Sequence, residues 1–112
     1  MAKEAFYVWK LEDDVYRLRL DTSHAVEVEK ILGKSLLTAL NEASLTSIVT
    51  ILWGAMQKFN HSVSMQDVYK LYDRYVDCGG SITGIIEVIM KVLEYAGFTK
   101  EEPEEQEENL TL

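Results

Sequence analysis

The junction Asp77-Cys78-Gly79-Gly80-Ser81-Ile82 sets acid, thiol and glycine side by side, the raw material of a calcium loop. With Gly80 at loop position 6, Ile82 falls at position 8, as an EF-hand prefers. Tyr75 and Ile86 then occupy positions 1 and 12, where carboxylates must stand, and Glu87 comes one residue too late. The glycines therefore read as a helix–helix junction. Cys78, His24 and His61 are the only soft-metal or nucleophile candidates, and they lie in different segments without CxxC or HxxxH spacing. Cys78 reads as a small apolar residue at a helix end, and the histidines as surface residues near caps. Asp73 and Asp77 stand i, i+4 apart with Lys70 and Arg74 nearby, the pattern of a solvated helix face. Neither GxxxxGK[ST] nor GxGxxG occurs, and Gly80-x-x-x-Gly84 reads as a tight turn with close packing. The expectation is a protein that is not an enzyme, with no catalytic residue, no metal site and no cofactor.

The elements that position these residues are mostly helices. The segment Leu45–Phe59 (LTSIVTILWGAMQKF) is apolar on nearly every side, so a helix there must be surrounded by protein or lipid. A bilayer span needs about 20 apolar residues, and Thr46, Ser47, Thr50, Gln57 and Lys58 interrupt this one. It is expected to be a buried central helix. Ser44 caps it; Asp21, Thr22 or Ser23 caps a helix through Leu32 that stops at Gly33; Ser35 starts a short helix from Leu36 to Asn41. Ser64-Met65-Gln66-Asp67 forms a capping box with Asp in place of Glu. The helix it opens carries Val68, Leu71, Tyr72, Tyr75 and Val76 on one stripe. Ser81 caps a last helix, Ile82 to Ala96, closed by Gly97. Ile82, Ile85, Ile86, Ile89 and Leu93 form its stripe, and Val88, Val92 and Tyr95 widen it beyond what one core contact needs.

Ahead of the helices, residues 5–10 (AFYVWK) and 15–20 (VYRLRL) read as a hairpin with the four-residue connection Leu11-Glu12-Asp13-Asp14. In the second strand Tyr16, Leu18 and Leu20 face one way and Val15, Arg17 and Arg19 the other; in the first, both faces are apolar. The fold expected is mainly α with a small N-terminal β-hairpin: one domain over residues 1–98, hairpin 5–20 and helices 22–98, then an acidic disordered tail, 99–112.

Length and charge bound the function. A chain of 112 residues with 47% hydrophobic and 27% charged residues holds one core. The N-terminus has no signal-peptide pattern, and one cysteine forms no internal disulfide, which suits a reducing cytoplasm. A formal charge of −8 argues against nucleic acid as the main ligand. Residues 99–112 carry six glutamates and one lysine, a balance of −5, leaving −3 for residues 1–98. Such a tail suits solubilisation, docking to a basic partner or shielding of apolar surface. Candidate partner contacts are Tyr7 and Trp9 on the hairpin, Tyr69 off its helix stripe, Val88, Val92 and Tyr95 on the widened stripe, and Glu101, Glu102, Glu104 and Glu105 in the tail. Trp53 is expected in the core.

The order of the elements carries a resemblance. A hairpin ending in Tyr16-Arg17-Leu18-Arg19-Leu20 leads to Val26-Glu27-Val28-Glu29-Lys30-Ile31-Leu32-Gly33-Lys34-Ser35-Leu36-Leu37. Ile51-Leu52-Trp53-Gly54-Ala55-Met56 follows, then the helix start Ser64-Met65-Gln66-Asp67-Val68 and the helix end Ala96-Gly97-Phe98. Over roughly residues 7–98 this resembles the tail assembly chaperones of long-tailed, siphovirus-type phages and of gene transfer agents. The resemblance implies a non-enzymatic protein of the host cytoplasm, outside the mature virion. Such a protein binds the aggregation-prone tape-measure protein, keeps it soluble and helps deliver it to the tail-tube protein. It also fits self-association through the hairpin edge, with neither nucleic acid nor membrane as a partner. A reading of a different class is a small acidic regulator that sequesters a basic protein through its tail.

Overall fold

The computed structural model describes residues 5–99. The assigned tail and its candidates Glu101, Glu102, Glu104 and Glu105 lie outside the described residues except for Thr99. Strands β1 (Tyr7–Leu11) and β2 (Asp14–Leu18) form an antiparallel hairpin, followed by helices α1 (Thr22–Leu32), α2 (Leu36–Glu42), α3 (Leu45–Met56), α4 (Met65–Asp77) and α5 (Ile82–Tyr95). The fold is mainly α with a small N-terminal hairpin.

The helix starts follow from local chemistry. Asp21, Ser35, Ser44, Ser64 and Ser81 are the N-caps, each accepting a hydrogen bond from a backbone N–H three residues on. At α4 the box is reciprocal: the Ser64 hydroxyl accepts from the Asp67 N–H at 3.1 Å, and the Asp67 carboxylate accepts from the Ser64 N–H at 2.9 Å. Hydrogen bonding of the carboxylate to Ser64, first to its backbone N–H and then to its side chain, holds the Asp67 carboxyl below the usual carboxylate range. Gly33 ends α1 at φ 71°, the left-handed cap that glycine takes without steric cost. Ala43 ends α2 in the same region at φ 52°, where a Cβ is unfavourable.

Helix α3 is the buried centre. Nine of its residues, from Ser47 to Met56, are inaccessible, and α1, α2, α4, α5 and β2 all pack around it. Gly54 makes the approach of α1 possible, since a Cβ there would meet Val28 Cγ2 at 2.5 Å and Leu20 Cδ1 at 3.0 Å. The hairpin closes one side. Trp9, Leu11, Leu18 and the following Leu20 are buried, while Val8, Lys10, Val15 and Arg17 face outward.

Four expectations need correction. The hairpin connection is two residues, Glu12-Asp13, with Leu11 paired to Asp14, not four. Within this loop the positive φ falls at Glu12, 57°, the first loop position. The strands also stop short of residues 5–6 and 19–20, because Arg19 turns its N–H to the Ala55 carbonyl of α3 at 2.8 Å. Trp9, expected as a partner contact, is only 4% exposed, wedged between Tyr16 and Tyr75 with ring centroids 5.8 and 5.9 Å away, while Trp53, expected in the core, is half-buried and packs against its margin. Val92 is fully buried, and Val76 and Ile82, at the ends of their stripes, are exposed, while Val68, Ile85, Ile89 and Leu93 are buried and Leu71, Tyr72, Tyr75 and Ile86 pack against the core as periodicity suggests.

Candidate partner-binding surface

Large apolar side chains left outside the core mark the surface where this protein can do something. One group lies between the first turn of α3 and the middle of α4. Leu45, Thr46, Val49, Tyr69, Tyr72 and Asp73 line a groove of about 310 Å³, with Leu45 and Tyr69 exposed at its mouth. Leu45 is exposed because it directly follows the cap Ser44, before α3 has entered the core. Tyr72 sits deeper, and burial pushes its phenol above the usual range. A second groove, of about 300 Å³, runs between α1 and α2 and is walled by Ala25, Val26, Leu36, Leu37 and Phe98. Both are at the small end of the ~300–1,000 Å³ found for small-molecule sites. Mostly apolar walls with few polar atoms suit a handful of side chains from a partner helix better than an oriented substrate.

Of the candidates from sequence, Tyr69 and Tyr95 are exposed, at 45% each. Tyr95 meets the half-buried Tyr7 edge-on, with centroids 6.0 Å apart, where the end of α5 rests on β1. Val88 is half-buried against the core. Trp9 and Val92 are buried and present no surface to a partner: Trp9 fills the space under the hairpin, and Val92 points from α5 into the core. Tyr7 and Tyr95 are thus brought together, whereas Tyr69 stands in the α3–α4 groove with no ring contact to them. Sequence reasoning missed Leu45, Val26 and Leu37 as surface residues. Val26 carried a usable signal, since it is out of phase with the buried pair Ala25 and Val28 on α1.

The polar side chains are organised as structural ties. Arg74 on α4 reaches back to the hairpin turn, donating through Nε to Glu12 Oε1 at 3.0 Å and through Nη2 to the Leu11 carbonyl at 3.3 Å, with Asp14 Oδ2 2.9 Å from Nη2. The Cys78 thiol lies beside the same Glu12. Cys78 and Arg74 together hold the Glu12 carboxyl below its usual range, and Glu12 in turn pushes the thiol up. Cys78 closes α4 as its C-cap, as expected, but its thiol is exposed. A thiol so shifted is less nucleophilic than an ordinary cysteine. His24 Nδ1 lies 2.7 Å from the capping Asp21 Oδ1; partial burial raises the Asp21 carboxyl, but the His24 N–H and ring outweigh it and the net shift is downward. His61 is tied to the Gln57 carbonyl. Gly80 and Gly84 clear space for Tyr75, whose hydroxyl donates to the Ser81 carbonyl at 2.9 Å and accepts from its N–H at 3.2 Å.

No protein-family model, curated protein or solved structure matches this chain. Among the described residues, no three His, Cys, Asp or Glu side chains converge as a metal site would need, and no helix is long and apolar enough to cross a membrane.

Proposed function

We propose that this protein is a non-enzymatic tail assembly chaperone, which binds a tape-measure protein, keeps it soluble and helps recruit tail-tube subunits during phage tail morphogenesis. The observation that carries the reading is the pair of apolar grooves on a helical domain, one opening at Leu45 and Tyr69 and the other at Val26 and Leu37. A long helical client exposes apolar side chains at i, i+3, i+4 and i+7, and grooves between helices accept such rows. The element order that resembles tail assembly chaperones supports the same conclusion. The net charge of −8 suits a protein that must stay soluble while showing apolar surface. The host cytoplasm is the compartment this role requires.

Co-expression with the tape-measure protein encoded downstream, followed by pull-down and sizing, tests the proposal. A soluble complex with several copies of this protein per tape-measure chain is expected, and Leu45→Ser with Tyr69→Ser should weaken capture while leaving the fold intact. An insoluble tape measure with no complex would sink the reading and redirect the search to basic partners of the acidic C-terminal segment.

A further inference from the structure

The outer face of the hairpin is unlike the rest of this acidic chain. In the register of the pair, Val8 stands opposite Arg17 and Lys10 opposite Val15. All four are exposed, Val15 at 58%, and no carboxylate shares the face. Arg17 is held there by stacking, its guanidinium carbon 4.7 Å from the Phe59 ring centroid and 5.6 Å from that of Phe6. Neither Lys10 nor Arg17 forms an ion pair with any described residue. Of the acids at the turn, Glu12 and Asp14 are drawn to Arg74, and Asp13 sits at the loop tip. The result is two valines and two unpaired cations on a two-stranded ribbon.

We infer that this face is the docking site for the chain's own acidic segment, residues 101–108. Charge complementarity points to it: six of those eight residues are glutamate, in a chain whose other surface is itself mildly acidic and offers such a segment little attraction. Geometry permits it. Tyr95, at the end of α5, touches Tyr7 at the start of β1, and the chain then runs through Phe98 at the α1–α2 groove toward Thr99. Thirteen residues follow Thr99, and at about 3.3 Å each they outreach a five-residue strand of about 17 Å. Tethering sets a local concentration on the order of millimolar, so even a weak contact is populated within one molecule ahead of a neighbour. The inference does not depend on the identity of the client, and its failure would leave the chaperone reading standing.

A spin label reports the contact directly. In a Cys78→Ser background, Glu105→Cys is labelled and the amide signals of Val8, Lys10, Val15 and Arg17 are followed by NMR. They should lose about twofold or more in intensity at low salt relative to Gln66 and Lys70 on α4, and recover at about 0.5 M salt, where charges are screened within a few ångströms. Lys10→Glu, at an exposed side chain with no hydrogen bond or ion pair among the described residues, should also restore them; Arg17→Glu should do so more completely. Equal broadening at α4, or broadening that ignores salt and Lys10→Glu, would overturn the inference. So would broadening confined to Val26 and Leu37, which would place the segment in the α1–α2 groove. Broadening that rises with protein concentration would assign the contact to a neighbouring copy and overturn the intramolecular docking.

Discussion

At the scale of single residues, the two tryptophans and the exposed tyrosines divide stability from function. Trp9 is enclosed by Tyr16, Tyr75 and the core, so Trp9→Ala leaves a large void and should cost about 3–5 kcal/mol in denaturant unfolding. Tyr69→Ala removes an exposed ring at a groove mouth and should stay within about 0.5 kcal/mol of the parent, any effect falling on partner capture instead. Sequence alone left Trp9 as a surface candidate because it could not tell which face of a strand, apolar on both sides, would be covered. Pairing with Tyr16 and coverage by α4 decide that, and both are long-range. The helix-end place of Cys78 was legible, but its neighbour Glu12, far away in sequence, was not. Since Glu12 pushes the thiol up, Glu12→Gln should lower it and increase the thiolate fraction. Alkylation of Cys78 by iodoacetamide at mildly alkaline pH should then run faster in the variant, and an unchanged rate would show that the carboxylate does not govern the thiol.

At the scale of elements, the helix starts and most of each packing stripe were legible, and the edges of the stripes were not. Capping is settled within four residues, so Ser35, Ser44, Ser64 and Ser81 could be read directly, and Asp21 was among three adjacent choices for α1. Which side of α5 turns inward depends on how α3 and β1 meet it, and the periodic stripe overestimated Ile82 and underestimated Val92. Two substitutions probe the joints between elements. Gly54→Ala raises intrinsic helix propensity by about 1 kcal/mol, yet the new methyl would strike Val28 and Leu20, both buried and unable to withdraw. Overpacking of this kind costs about 1–3 kcal/mol, so the variant should be less stable by urea unfolding, and Val28→Ala should recover part of the loss. Ala43→Gly acts oppositely. The left-handed cap at φ 52° strains alanine by roughly 1–2 kcal/mol, and glycine loses about 0.5–1 kcal/mol through the unfolded chain, so a net gain of about 0.5–1 kcal/mol is expected in thermal melts.

At the scale of the whole molecule, charge and apolar surface oppose each other. The grooves at Leu45–Tyr69 and Val26–Leu37 would favour association of like molecules, and a net charge of −8 resists it at neutral pH. The sequence pI is about 4.7, so that resistance fades as the solution is acidified. The fold should outlast it. The carboxyls of Asp21 and Asp67 are held below their ordinary values, so the stability they contribute is complete above the usual carboxylate range. It is lost only as pH falls through their lowered folded values. Near pH 4.7, folded molecules without net charge should therefore associate through their grooves. Light scattering should rise there while the helical circular dichroism persists, and Leu45→Ser with Tyr69→Ser should reduce the scattering. A chain ending at Thr99 keeps a balance of only −3, so its association should begin at higher pH than that of the full chain. If scattering rose only together with loss of helical signal, unfolding rather than exposed native surface would drive it. The apolar grooves would then have no part in self-association.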